Sequence, residues 1–146
     1  MAKQLKTWYW FAMIYTALGL ASGLFYREFT KLNGVPGGTQ LAVAHTHLLT
    51  LGTIFSLIFL VLERLFRLSE VTRRYKAFVI TWNAGVLVTA TMLVVKGCLQ
   101  VLGSDFATSP MIAGISGLGH MTITAAFILL MIVLGKRLAE SESTHA

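Results

Sequence analysis

Four stretches of this chain carry no charged side chain at all: residues 8–26, 41–62, 78–95 and 111–134. A helix rises about 1.5 Å per residue, so roughly 20 residues cross a hydrocarbon layer about 30 Å thick. Each stretch reaches that length or comes close, and the third resumes beyond Lys96 to give a span over 78–102. Composition points the same way, with 55% of residues hydrophobic and 12% charged, against about 25% charged in an ordinary soluble domain. Soluble enzymes and nucleic-acid-binding modules are therefore excluded. The formal charge of +6 falls between the apolar runs, where membrane proteins keep their basic flanks. The single cysteine, Cys98, excludes a disulfide framework and any cysteine-rich zinc or iron–sulfur site. The first run follows Lys3 and Lys6 as a signal peptide would, but its apolar stretch is too long for one.

The connectors are short. Residues 27–40 contain Asn33-Gly34 and Pro36-Gly37-Gly38, which are turn signals; 63–77 reads as a charged loop; 103–110 reads as a polar turn whose proline suits a helix start. The tail from Lys136 onward is small and polar and is expected to fray. The fold class expected is an all-α integral membrane four-helix bundle, up-down-up-down, forming one domain over 1–146 with lipid as its immediate partner. Lys3, Lys6, Arg64, Arg67, Arg73, Arg74, Lys76, Lys136 and Arg137 fall on one side, against Arg27, Lys31 and Lys96 on the other. The positive-inside rule then puts both termini in the cytoplasm.

Ionisable groups inside a membrane are costly, and each is a candidate functional group. His45 and His47 open the second span, His120 lies about ten residues into the fourth, and Lys96 lies at a similar depth. His145 sits in the tail, where water imposes no such constraint. Neutral imidazole ligates haem iron, copper or zinc, or relays protons. Spacing narrows the choice. Residues i and i+2 of a helix point about 200° apart, so His45 and His47 address two different neighbours. A compact zinc site would prefer i and i+4. The competing reading of each histidine is a simple hydrogen bond across a helix interface, worth about 1 kcal/mol or less.

Gly19 and Gly23 form a GxxxG pair suited to close helix packing, and Gly114, Ser116, Gly117 and Gly119 lead into His120. That small-residue surface would also admit a flat macrocycle. Trp8, Tyr9 and Trp10 read as an interfacial aromatic belt. Arg27, Lys31 and Lys96 could meet carboxylates such as haem propionates, or simply snorkel to the interface, with Asp105 a second option for Lys96.

The segment Val43-Ala44-His45-Thr46-His47-Leu48-Leu49-Thr50-Leu51-Gly52 resembles the helix that supplies two haem ligands in haem–copper oxidases and nitric oxide reductases. The whole chain is similar to a small bacterial family of four-helix membrane proteins of unassigned function, through Gly23-Leu24-Phe25-Tyr26-Arg27-Glu28-Phe29-Thr30-Lys31 and the His-Thr-His-Leu-Leu segment. The oxidase resemblance implies that three copies could form a twelve-helix ring. His47 of one subunit and His45 of the next would then clasp one b-type haem at each interface. The alternative is a haem within one subunit, with His120 as a ligand. No Cys-x-x-Cys-His is present for covalent haem, and Trp82-Asn83 stands on the third span where the oxidases carry a histidine pair. The family resemblance implies a bacterial inner membrane. The function expected is bis-histidine haem binding for electron transfer or redox sensing, with an electron donor or quinol as partner. The alternative is a non-haem protein using the histidines for copper or for proton or solute passage. Whether any substrate is turned over is left open by the residues.

Overall fold

The computed structural model describes the backbone of residues 2–145 and the side chains of residues 2–141. Four helices fill it: α1 (Ala2–Leu32), α2 (Leu41–Phe66), α3 (Thr72–Val101) and α4 (Pro110–His145). All four are long and apolar enough to cross a membrane, and the described residues contain no strand. Each helix outruns its charge-free stretch, because charged side chains at a helix end can stay helical while reaching for water.

The connectors shrink accordingly. The first is only Asn33–Gln40, where Gly37 and Gly38 take φ of +125° and +80°, conformations that side-chain-bearing residues rarely adopt. The expected charged loop over 63–77 reduces to Arg67–Val71, and its first acid is not on a loop: Glu63 belongs to α2 and is fully buried. Its carboxylate accepts hydrogen bonds from the Ser69 N–H (3.0 Å) and Ser69 Oγ (2.6 Å), closing the turn. The third connector matches expectation. Pro110 opens α4, and the Ser109 hydroxyl accepts from the Ile112 N–H at 3.3 Å. The tail does not fray where it is described. α4 continues as helix to His145, held through Glu140 by Lys136 (3.7 Å) and Arg137, while the side chain of His145 lies outside the described residues.

Packing differs at the two ends of the bundle. At the end holding the N-terminus, every helix gives an aromatic ring to one cluster. Phe59 lies 5.0 Å from Trp8, 5.0 Å from Phe78 and 4.8 Å from Trp82, and Trp82 lies 5.0 Å from Phe127. Trp8 is therefore core rather than interfacial belt. It is fully buried and donates its indole N–H to Tyr75 Oη at 2.9 Å, whereas Tyr9 and Trp10 are exposed. At the other end contact is made by small residues. A Cβ added at Gly19 would meet Leu49 at 2.7 Å, and one added at Gly97 would overlap the backbone of Leu41. The GxxxG pair of α1 thus packs against α2, as its spacing suggests.

Between these zones α2 changes its winding. Leu48–Ile54 is π-helical, beginning immediately after His47. In this stretch Gly52 faces Tyr15 so closely that a Cβ could not fit, and Thr53 hydrogen-bonds Thr16 across the interface at 3.1 Å. Such underwound turns are rare and often adjoin functional sites.

Candidate functional site

The i and i+2 spacing of His45 and His47 on the α-helical start of α2 sends them to different neighbours. His45 is turned to α1, where a Cβ on Gly23 would lie 3.7 Å from its Cβ and Cγ. Its Nδ1 is buried and has no hydrogen-bond partner among the described residues. His47 is turned to α4, where its ring centre lies 6.5 Å from that of His120 with the planes at 79°. Two imidazoles on opposite sides of one metal, each with a metal–nitrogen distance of about 2 Å, have ring centres roughly 6 Å apart.

Both members of this pair are held the same way. Nδ1 of His47 lies 3.0 Å from the Val43 carbonyl, and Nδ1 of His120 lies 3.0 Å from the Ser116 carbonyl. A carbonyl only accepts, so Nδ1 is the donor in each ring, and in a neutral imidazole Nε2 is then the nitrogen with the available lone pair. This is how metal-binding histidines are usually oriented, with the second nitrogen tied to a carbonyl or carboxylate. The carbonyl one turn back is available to any helical histidine, so no residue pattern marks which histidines use it.

The rest of the α4 surface divides in two. Gly119 is a packing residue, because a Cβ there would meet Thr89 Oγ1 at 2.5 Å. Gly114 and Gly117 face open space, and His120 itself is exposed. Thr46, His47, Thr50 and Leu51 line a shallow cavity of about 240 Å³ beside the pair. Among the described residues no group of three or more His, Cys, Asp and Glu side chains gathers as a metal site. The donor set at this level is two imidazoles.

The expected cations lie at the same end of the bundle. Arg27 is largely exposed and only loosely paired with Glu28, at 3.6 Å. Lys31 is exposed near the end of α1. Lys96 is half-buried and makes no ion pair with Asp105. At the opposite end lies a site that sequence reading missed. The Arg137 guanidinium donates to the Phe66 carbonyl at 2.8 Å and pairs with Glu70 at 2.6 Å, so a cation closes the C-terminus of α2.

Four apolar helices of spanning length define the class: a helical membrane protein, here with one imidazole from α2 and one from α4 brought together. The chain belongs to the family described as "Protein of unknown function (DUF2871)", whose pattern matches residues 5–137. No curated protein and no solved structure matches the chain.

Proposed function

We propose that this protein binds one b-type haem per chain, with His47 and His120 as the axial ligands, and that it acts in electron transfer or redox sensing. One observation carries the reading: two imidazoles whose ring centres lie 6.5 Å apart, each with Nδ1 tied to a backbone carbonyl one turn back. The open surface at Gly114 and Gly117 offers a smooth approach for a flat ring. Held there by both imidazoles, haem would supply one-electron chemistry rather than gas binding. The protein's part is to fix the two tautomers, hold the rings apart and exclude water. Arg27, Lys31 and Lys96 are the cations within reach of that end for the propionates.

The finer assembly belongs to the same proposal. Thr46, Thr50 and His120 are exposed although they lie in spanning helices, and polar groups facing lipid favour being covered. A homotrimeric ring of twelve helices would cover them, in a bacterial inner membrane with both termini cytoplasmic. A quinol or another membrane electron donor would be its redox partner. A separation that fits iron also fits one copper ion, which gives the second reading.

The absorption spectrum of the purified full chain separates these readings. We expect a Soret band with sharp α and β bands on reduction, unmoved by carbon monoxide. His47→Ala and His120→Ala should each empty the site, and His45→Ala should leave it filled. A colourless, fully helical protein would refute the haem reading, and one bound copper ion per chain would replace it. Loss of haem in His45→Ala but not in His120→Ala would put the haem between subunits. Native mass spectrometry showing only monomers in mild detergent would remove the ring.

A further inference from the structure

At the opposite end from the histidines, a cavity of about 590 Å³ is lined by Glu70, Val71, Thr72, Arg73, Arg74, Ala77, Leu129 and Lys136. Its polar rim is cationic. Arg73 and Arg74 are exposed and make no ion pair among the described residues. Lys136 is held only at 3.7 Å by Glu140, with both side chains about half exposed. The one acid in the lining, Glu70, is already taken by Arg137 at 2.6 Å and Arg67 at 3.7 Å.

The backbone adds donors to these side chains. α3 begins with no side-chain cap, and its first backbone bond runs from the Tyr75 N–H to the Val71 carbonyl at 3.0 Å. Among the described residues the N–H groups of Thr72, Arg73 and Arg74 make no backbone hydrogen bond, and they lie at the positive end of the helix dipole. The other side of the cavity is apolar. Ala77 and Leu129 are half-buried, and Leu129 lies seven residues before Lys136 on α4, about 10 Å deeper along the helix. A free phosphate would use the rim and gain nothing from this wall. A phosphate that carries acyl chains would use both.

From the geometry we propose that this cavity is a binding site for the headgroup of an anionic phospholipid. The phosphate sits between Arg73, Arg74 and the first turn of α3, and an acyl chain runs down along Ala77 and Leu129. Lys136 is the third cation. This site is independent of the histidines and of the reading given for them. It differs from the diffuse basic flank of a membrane protein because it names two arginines and excludes a third. Arg64, in the last turn of α2 at the same end of the bundle, is exposed and does not line the cavity.

The test is native mass spectrometry of the full chain, released from detergent with equal amounts of phosphatidylglycerol and phosphatidylcholine of matched acyl chains. We expect phosphatidylglycerol to be retained preferentially. Arg73→Gln and Arg74→Gln should each lower that preference about fivefold, the usual effect of one basic residue beside an anionic headgroup. Arg64→Gln should leave it unchanged, and inorganic phosphate at millimolar concentration should not displace the lipid. No preference for phosphatidylglycerol would overturn the proposal. An equal loss in Arg64→Gln would reduce the cavity to a diffuse surface charge. Displacement by inorganic phosphate would make it an anion site with no lipid component.

Discussion

The two ends of this bundle are built from different materials. One end fills the space between four helices with Trp8, Phe55, Phe59, Phe78, Trp82 and Phe127. The other brings backbones together over glycine and leaves its polar groups facing outward. In lipid, apolar surface gains little by leaving the solvent, so helix association rests on dispersion and hydrogen bonds. Rings in edge contact maximise the first of these. The aromatic end is therefore where stability is concentrated. The histidine end leaves Thr46, Thr50 and His120 on its surface.

The strongest way to break that division is Trp8→Ala. It opens a cavity among four helices and strands the hydroxyl of Tyr75. We expect a loss of about 3–5 kcal/mol in reversible unfolding in bicelles, the range for removing a buried aromatic ring. The absorption spectrum of the folded fraction should not change. A changed spectrum at unchanged stability would mean that the two ends are not separate.

Next in size is Glu63→Ala. The carboxylate serves Ser69 twice from a fully buried position, so its loss leaves the Ser69 N–H without an acceptor. The expected cost is about 2 kcal/mol, typical of a hydrogen bond to a charged group. It should appear first as faster exchange of the Ser69 amide hydrogen. Unchanged exchange would show that the turn is held without the acid.

Gly97→Ala moves the comparison to the other end. A Cβ there overlaps the backbone of Leu41, the first residue of α2, so α2 and α3 must separate. Overpacking of this kind costs about 1–3 kcal/mol. Unlike Glu63→Ala, it should also lower ligand occupancy, because His47 lies less than two turns from Leu41. Full occupancy in Gly97→Ala would show that α2 reaches His120 without this contact.

The helices were legible because a charge-free run of that length has few other solutions. Their ends were less so. Trp8 has the same immediate neighbours in sequence whether it faces lipid or core, and only its packing on Phe59 and Phe78 decides. Glu63 looks like the start of a loop until Ser69 turns back on it. The divergence of His45 and His47 followed from helical spacing, and the structure shows it. That His47 meets His120 did not follow, because equal depth says nothing about rotation. Rotation here depends on α1 as well, through Tyr15 against Gly52 within the π-helical turns.

The smallest expected effect is the most specific. Thr89 is buried on α3, its Oγ1 has no hydrogen-bond partner among the described residues, and it rests on Gly119, the residue before His120. If the histidine end is set by contact shape, the hydroxyl is dispensable and its volume is not. Thr89→Val keeps the shape and removes an unpaired polar atom, a change that is close to neutral, within about 0.5 kcal/mol. It should leave both stability and spectrum as they were. Thr89→Ala removes the methyl as well, so α4 can settle toward α3 and carry His120 with it. The two substitutions should therefore separate in ligand occupancy while both proteins stay folded. Equal losses from valine and alanine would mean that the hydroxyl works through an ordered water, and that hydrogen bonding, not close packing, holds His120 in place.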